Sequence, residues 1–297
     1  MQSARVVRCL LVAVLVFGLA ACNSEPEKKP AQTPKPVPVA EAPKPAPVAP
    51  KPVETPVSPT PKPVTVTLGK FSIAEHSTGK AGEMIRLAVE YGGKSIAQAD
   101  ETYRTVKHAK KDVPAGASTM VVEMFTGGAN CCLGYYLLTS DGDKDAAAFI
   151  EPFDGELTDT VGLSGKVQTF TVNDSSFMYY AKTGDNASVS FTRPESPRLE
   201  RLVVFDNGAW RVDKKGEYAA MYNALATASK EKKEGNATAN AMSFAYYSLM
   251  AGTEKDMVSK VFIAMLPQNV NPLAQDIFAD IEKAVGSFNP VGVISLQ

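Results

Sequence analysis

A long proline-rich segment is the feature that most constrains what this chain can fold into. Residues 26–63 hold 14 of the chain's 21 prolines, mixed with Lys, Ala, Val, Thr and Glu. Each proline fixes φ and removes a backbone donor, so neither helix nor sheet extends through runs such as Pro34-Lys35-Pro36-Val37-Pro38. The segment predicts a polyproline II spacer that reaches at most roughly 120 Å, at about 3.1 Å per residue. An alternative interpretation is a Pro-Lys ligand for a partner domain, or an electrostatic contact with the anionic cell wall.

The residues before this spacer have the pattern of an export signal. Arg5 and Arg8 precede an uncharged apolar run over residues 10–21. That run has about half of the ~20 residues needed to span a bilayer, so it predicts a cleaved signal peptide over residues 1–21 rather than a transmembrane helix.

The signal ends in Leu19-Ala20-Ala21-Cys22, which resembles the lipobox of bacterial lipoproteins. The resemblance implies that Cys22 is diacylated on sulfur and becomes the new N-terminus, leaving residues 22–63 as a lipidated tether. Asn23 stands where an aspartate would favour retention in the inner membrane, so the outer membrane is favoured. We therefore expect a cell-envelope protein that faces the periplasm or the surface.

The remaining residues are numerous enough for one large domain or two small ones. The chain has 31 basic and 32 acidic residues, a formal charge of −1, and no long basic block in this part. Nucleic-acid binding is therefore not expected. We predict an α+β fold, in which an antiparallel β domain over residues 64–215, a sandwich or an open barrel, precedes a helical subdomain over residues 216–297.

Alternation of apolar and polar residues predicts the strands. Ile85, Leu87, Val89 and Tyr91 follow the period of a half-buried strand, and Asp206-Asn207-Gly208 predicts a tight hairpin turn. Two further half-buried strands are expected at residues 64–68 and 170–172. Residues 119–125 and 199–205 are more uniformly apolar, as expected for central strands.

Beyond Gly216 the apolar period changes to that of helices. Thr253 and Asp256 resemble a capping box at the start of the third helix, and Asn271-Pro272 predicts the start of a fourth that ends near Gly286. The four apolar stripes begin at Tyr218, Met242, Val258 and Leu273.

Only two cysteines, Cys131 and Cys132, remain once Cys9 leaves with the signal and Cys22 is acylated. Residues 127–132 resemble a Gly-Gly-Ala-His-Cys-Cys segment of exported bacterial β-domains of unassigned function, with Asn130 in place of the histidine. In the oxidising envelope a vicinal disulfide is one interpretation. The other is a pair of thiols, at least one of them buried.

Asp141, Asp143 and Asp145 alternate after a predicted strand, as in the first half of an EF-hand loop. Ala146 occupies the glycine position of such a loop and Pro152 the position of its bidentate glutamate. A hairpin turn is the favoured interpretation, and a calcium site is the alternative.

The sequence shows no Gly-x-Ser-x-Gly elbow, phosphate loop or zinc-binding helix, and His76 and His108 lack metal-ligand spacing. We expect a non-enzymatic binding or scaffolding module without a cofactor, whose partner is peptidoglycan or an envelope protein. The alternative is an envelope enzyme, either a cell-wall or polysaccharide hydrolase or a thiol-redox protein that uses Cys131 and Cys132.

Overall fold

A computed structural model describes residues 64–77, 84–103, 105–114, 116–127, 132–142, 144–161 and 168–297, all within one compact unit. The predicted signal peptide, the predicted lipidation site Cys22 and the predicted tether lie outside the described residues, as do Asn130, Cys131 and Asp143. Across the described ranges, none of the helices has the length and apolar character needed to cross a bilayer.

Antiparallel sheets form the larger part of the secondary structure of the described residues, and most of the helix lies near the C-terminal end, which confirms the α+β prediction. The strands are β1 (Val64–Leu68), β2 (Phe71–Ser77), β3 (Ile85–Tyr91), β4 (Lys94–Tyr103), β5 (Thr105–Lys111), β6 (Ser118–Phe125), β7 (Leu133–Ser140), β8 (Asp145–Phe153), β9 (Thr158–Val161), β10 (Gln168–Asp174), β11 (Ala181–Gly184), β12 (Ala187–Ser190), β13 (Leu199–Asp206), β14 (Ala209–Val212) and β15 (Val291–Ile294). The helices are α1 (Ala219–Glu231), α2 (Ala237–Met250), α3 (Lys255–Met265) and α4 (Ala274–Ser287).

Three sheets form successive layers, and β11 and β12 pair with each other as a separate two-stranded sheet. The first has the order β1-β2-β3-β4, the central sheet β15-β8-β7-β6-β5 and the third β14-β13-β10-β9. Alternate residues of β6 explain the layering: Val122 and Met124 pack against the first sheet, whereas Val121 packs against the third. Because both faces of β6 are covered, its sequence is almost continuously apolar, as expected for a central strand.

The third sheet connects the layers to the helices. Trp210 is buried, packs against Phe170 and donates from its indole nitrogen to the Thr139 hydroxyl of the central sheet at 2.7 Å. Leu199, at the start of β13, packs in the same cluster as the buried residues of α2. The helices therefore pack at one end of the third sheet, where the core changes from strand–strand to strand–helix contacts.

The predicted hairpin at residues 206–208 is confirmed, because Asn207 and Gly208 have φ values of 52° and 82° and connect β13 to β14. Three details differ from the sequence-based expectations. Glu254 rather than Thr253 is the N-cap of α3, with no side-chain cap bond. Asn271-Pro272 begins a 3-10 turn that precedes α4. After α4 the chain forms β15, an edge strand that pairs with β8. The apolar pattern of the sequence did not predict this strand.

Candidate functional site

An open groove lies between the loop of residues 192–198 and one side of helices α1 and α2. Its volume is about 420 Å³, within the roughly 300–1,000 Å³ typical of ligand sites. Loop residues 194–198 form one wall, and residues of the two helices form the other. This groove is the candidate functional site.

Hydrogen bonds order the loop wall and the start of α2. Glu195 accepts from the Thr192 hydroxyl at 2.6 Å and from its backbone N–H at 3.0 Å. These two bonds, with a further one from the Asn236 side chain, lower the pKa of Glu195. Asn236 is also the N-cap of α2 and accepts from the N–H groups of Thr238 and Ala239. Each of these two segments is therefore ordered by hydrogen bonds of its own.

Tyr247 forms the base of the groove and ties α2 to the start of β13. Its hydroxyl donates to the Arg198 carbonyl at 3.1 Å and accepts from the Glu200 N–H at 2.9 Å. Burial raises the pKa of the Tyr247 phenol well above its ordinary value, so it stays protonated near neutral pH. Tyr247 therefore contributes a fixed hydrogen-bonding position and no titrating group.

Behind the groove lies a buried polar network of Asp174, Arg201, Asp213, Tyr222 and Tyr246. Arg201 donates to the Asp213 carboxylate at 2.9 Å and to the Tyr246 hydroxyl at 3.1 Å. Tyr246 in turn donates to Asp174 at 2.6 Å, and Tyr222 donates to Asp213. The network joins the third sheet to both helices that form the groove.

Tyr246 and Arg201 of the network keep their protons near neutral pH. Burial, followed by the charge of Asp174, raises the pKa of Tyr246 well above its ordinary value. Burial alone would lower the pKa of the Arg201 guanidinium, but its contacts with Tyr246 and Asp213 raise it overall. Both groups therefore join the third sheet to the helices as a hydrogen-bonded tyrosine and a charged guanidinium.

Two exposed cations line the groove. Arg198 comes from the loop and Lys232 from the residue that ends α1. Among the described residues, no carboxylate lies within ion-pair distance of either group. The hydroxyls of Ser229 and Ser243 already donate to helix carbonyls at 2.8 and 2.9 Å. Glu195 is the one acidic residue of the groove lining, so the groove carries a small excess of positive charge.

A smaller pocket adjoins the groove and shares residues 196–198 with it. On its rim, Arg193 donates to both carboxylate oxygens of Asp154, at 2.5 and 3.3 Å. Next to it, Tyr179 has φ of 56°, is half exposed, and donates its N–H to the Ser196 hydroxyl at 3.0 Å. A non-glycine residue with positive φ beside a pocket is a feature that clusters at functional sites.

Of the predicted cysteine pair, the described residue Cys132 is disulfide-bonded. It lies half-buried at the base of the β6–β7 loop, where its N–H donates to the Thr126 hydroxyl at 3.4 Å. Cys9, Cys22 and Cys131 all lie outside the described residues, so the vicinal pairing with Cys131 stays a prediction.

The aspartates considered for calcium lie at the turn between β7 and β8, where a hairpin was favoured. Asp141 accepts from the Lys144 N–H, and Asp145 accepts from the Tyr91 hydroxyl at 2.9 Å. Asp143 is outside the described residues. In the described ranges no three His, Cys, Asp or Glu side chains are grouped so that they could hold a metal.

Neither histidine lies at the groove. His76 is exposed on β2, and His108 on β5 contacts the Glu75 carboxylate between the first and central sheets. No sequence motif marks the groove residues, because they come from separate segments of the chain. The Asn236 N-cap before the second helical stripe was the one local signal that could have located a wall.

Comparison of the chain with protein-family models, with curated proteins and with solved structures finds no match in any of the three. The function is therefore argued from the site itself.

Proposed function

We propose that this chain is a lipid-anchored cell-envelope protein, held by Cys22 and oriented to the periplasm or the surface, with the outer membrane favoured. In this proposal it is a non-enzymatic binding or scaffolding module, and the spacer of residues 22–63 holds it off the membrane. The groove is its binding surface. The observation that carries the proposal is the pair of exposed cations, Arg198 and Lys232, on walls held in place by hydrogen bonds.

The charges indicate the class of partner. An exposed cation without a carboxylate partner gains most from an anionic ligand, and a guanidinium pairs with a carboxylate through two parallel hydrogen bonds. In the envelope, peptidoglycan and the acidic surfaces of other envelope proteins present such groups. Both partners expected from the sequence are therefore compatible with the groove.

In-cell crosslinking tests the groove directly. A photo-crosslinking residue at Ala228, which is exposed and lines the groove, should capture the partner in intact cells. The matched control is Met257, which is 57% exposed on α3 and does not line the groove. The adduct at position 228 should disappear when Arg198→Ala and Lys232→Ala are combined. Equal adducts at both positions, or none at position 228, would contradict the proposal.

The anchor is tested separately. Palmitate should label the wild-type protein but not the Cys22→Ala variant, and globomycin should cause the unprocessed precursor to accumulate. Normal processing under the drug, or a protein that fractionates with the cytosol, would refute the lipoprotein assignment.

The disulfide at Cys132 supports thiol-redox chemistry as a second candidate function. A half-buried disulfide at a loop can be reached by an attacking thiolate, which breaks the S–S bond and forms a mixed disulfide. Turnover of a disulfide substrate that is lost in Cys131→Ala and Cys132→Ala would support it. Alkylation of unreduced protein followed by mass spectrometry maps the pairing, and two alkylated cysteines would exclude the bridge.

A further inference from the structure

One edge of the central sheet is uncharged and open. Among the described strands, β15 is the outermost of that sheet and pairs only with β8. Residues 290–297 carry no charged side chain, whereas the opposite edge strand, β5, contains Lys107, Lys110 and Lys111. Lysines on an edge strand oppose its pairing with another chain. β5 is therefore protected against such pairing, and β15 has no protection except its length of four residues.

The backbone of β15 has hydrogen-bonding groups that point away from β8. The Glu151 N–H donates to the Pro290 carbonyl at 2.9 Å, so every second residue from Pro290 onward bonds to β8. The N–H and C=O groups of the alternate residues, Val291 and Val293, point to the open edge. In the part of the chain that the structure describes, no hydrogen bond joins these groups to another residue.

The side chains at this edge leave an apolar surface uncovered. Val293 is 65% exposed, the highest value among the large apolar residues of the described ranges. Gly292 lies beside it without the positive φ that favours glycine, and an added Cβ atom would meet only the Phe149 carbonyl oxygen, at 3.8 Å. The packing of the chain on itself therefore does not require a glycine there. A glycine within a strand often marks a place where another backbone approaches.

We propose that β15 is the contact between two copies of this chain, which pair antiparallel across a two-fold axis at Val293. Because the outward groups lie on every second residue, this axis sets Val293 opposite Val293 of the copy and Val291 opposite Ser295. Ile294 then lies opposite Gly292 and covers its open surface. The two central sheets, of five strands each, become one continuous sheet.

The strand is complementary to itself, and for this reason a second copy fits it better than an unrelated protein. The exposed Val293 meets an identical apolar side chain, and the outward backbone groups of the two copies have the same spacing. No like charges face each other, because the strand has none. No residue that lines the groove belongs to β15, so the inference is independent of the proposed binding function.

The first test measures the mass of the full-length protein in detergent by light scattering and sedimentation. Wild type should shift from monomer to dimer between about 1 and 100 μM, as expected for a small interface. Val293→Lys should raise the dimer Kd at least about tenfold, because two ammonium groups would face each other at the axis. Its Tm should not change, since Val293 is mostly exposed. The matched control is Val64→Lys, at an apolar residue of β1 that is 61% exposed, and it should keep the wild-type Kd.

The second test examines the register by crosslinking in intact cells. Val293→Cys should form a disulfide-linked dimer on mild oxidation, because residues opposite each other in such a pair have Cα atoms about 5.5 Å apart. The matched control is Ser295→Cys. In this register the two residues 295 are four positions apart, roughly 14 Å along the strand, which is beyond the reach of a disulfide.

Each other outcome overturns the inference. A monomer at every concentration would leave β15 without a second copy, even if position 293 were crosslinked to a different protein in cells. A dimer that Val293→Lys leaves intact would reflect another contact surface or two anchors in one micelle. Equal crosslinking at positions 293 and 295 would exclude the two-fold axis at Val293.

Discussion

Replacement of Arg201 by methionine tests whether the buried polar network supports the groove. Methionine keeps the apolar stem of arginine but removes the charge that faces Asp213. The Arg201 side chain is 3% exposed and that of Asp213 is 0% exposed, so water cannot replace the lost partner. The Asp213 carboxylate would keep only the donors Tyr222 and the N–H of Leu202. An unpaired buried charge costs far more than the pair contributes while it is intact.

The expected loss is about 3–5 kcal/mol in the free energy of unfolding. For a domain of this size that corresponds to a fall in Tm of roughly 6–20 °C. Urea unfolding, followed by the fluorescence of the chain's single tryptophan, should show a lower midpoint with an unchanged slope. Capture at position 228 should fall in parallel, because the network joins both groove helices to β13.

The matched control is Lys255→Met, which removes a surface ion pair with Glu282. Its lysine is 60% exposed, so the loss should stay below about 1 kcal/mol. Adding Asp213→Asn to Arg201→Met should cost less than the sum of the single variants, since the two groups interact directly. A loss at Arg201 as small as that at Lys255, or strictly additive effects, would refute the reasoning.

Three further predictions concern stability. Gly155→Ala should lower the free energy of unfolding by about 1–3 kcal/mol, measured by chemical denaturation. The reason is that φ is 132° at this position and an added Cβ atom would lie 2.4 Å from the Asn173 amide nitrogen. The control Gly142→Ala should cost less, because no atom lies within 4 Å of the added Cβ. Burial raises the pKa of Tyr136 from 10.0 to about 12, so stability from its neutral phenol is complete below pH 10 and lost as the pH rises towards 12. Tyr136→Phe should therefore lose less stability than wild type between pH 8 and pH 11, and equal losses would contradict this. Added calcium should leave Tm unchanged, because both described carboxylates of the β7–β8 turn already accept hydrogen bonds from the protein. A rise in Tm with calcium would support a calcium site at this turn.

Local patterns predicted the secondary structure well where one face is buried. The alternation in β3 and the Asn207-Gly208 turn are confirmed, because strand period and positive φ depend only on neighbouring residues. The predicted start of α3 was wrong. Thr253 has a side chain that commonly caps helices, but Glu254 occupies the N-cap position. The strand β15 was not predicted because its pairing with β8 depends on a distant part of the chain.

The sequence by itself determined the order of strands and helices, and it marked the central strand as buried on both faces. It also predicts a signal and a spacer before them. These are properties of charge, proline content and short-range periodicity, which a chain displays without folding. Only the tertiary structure decided where the groove lies. Tyr246 and Asp174 are 72 positions apart, and the cations Arg198 and Lys232 line one groove because helices dock against the third sheet. Such packing depends on the shapes and hydrogen bonds of distant segments, which no local pattern encodes.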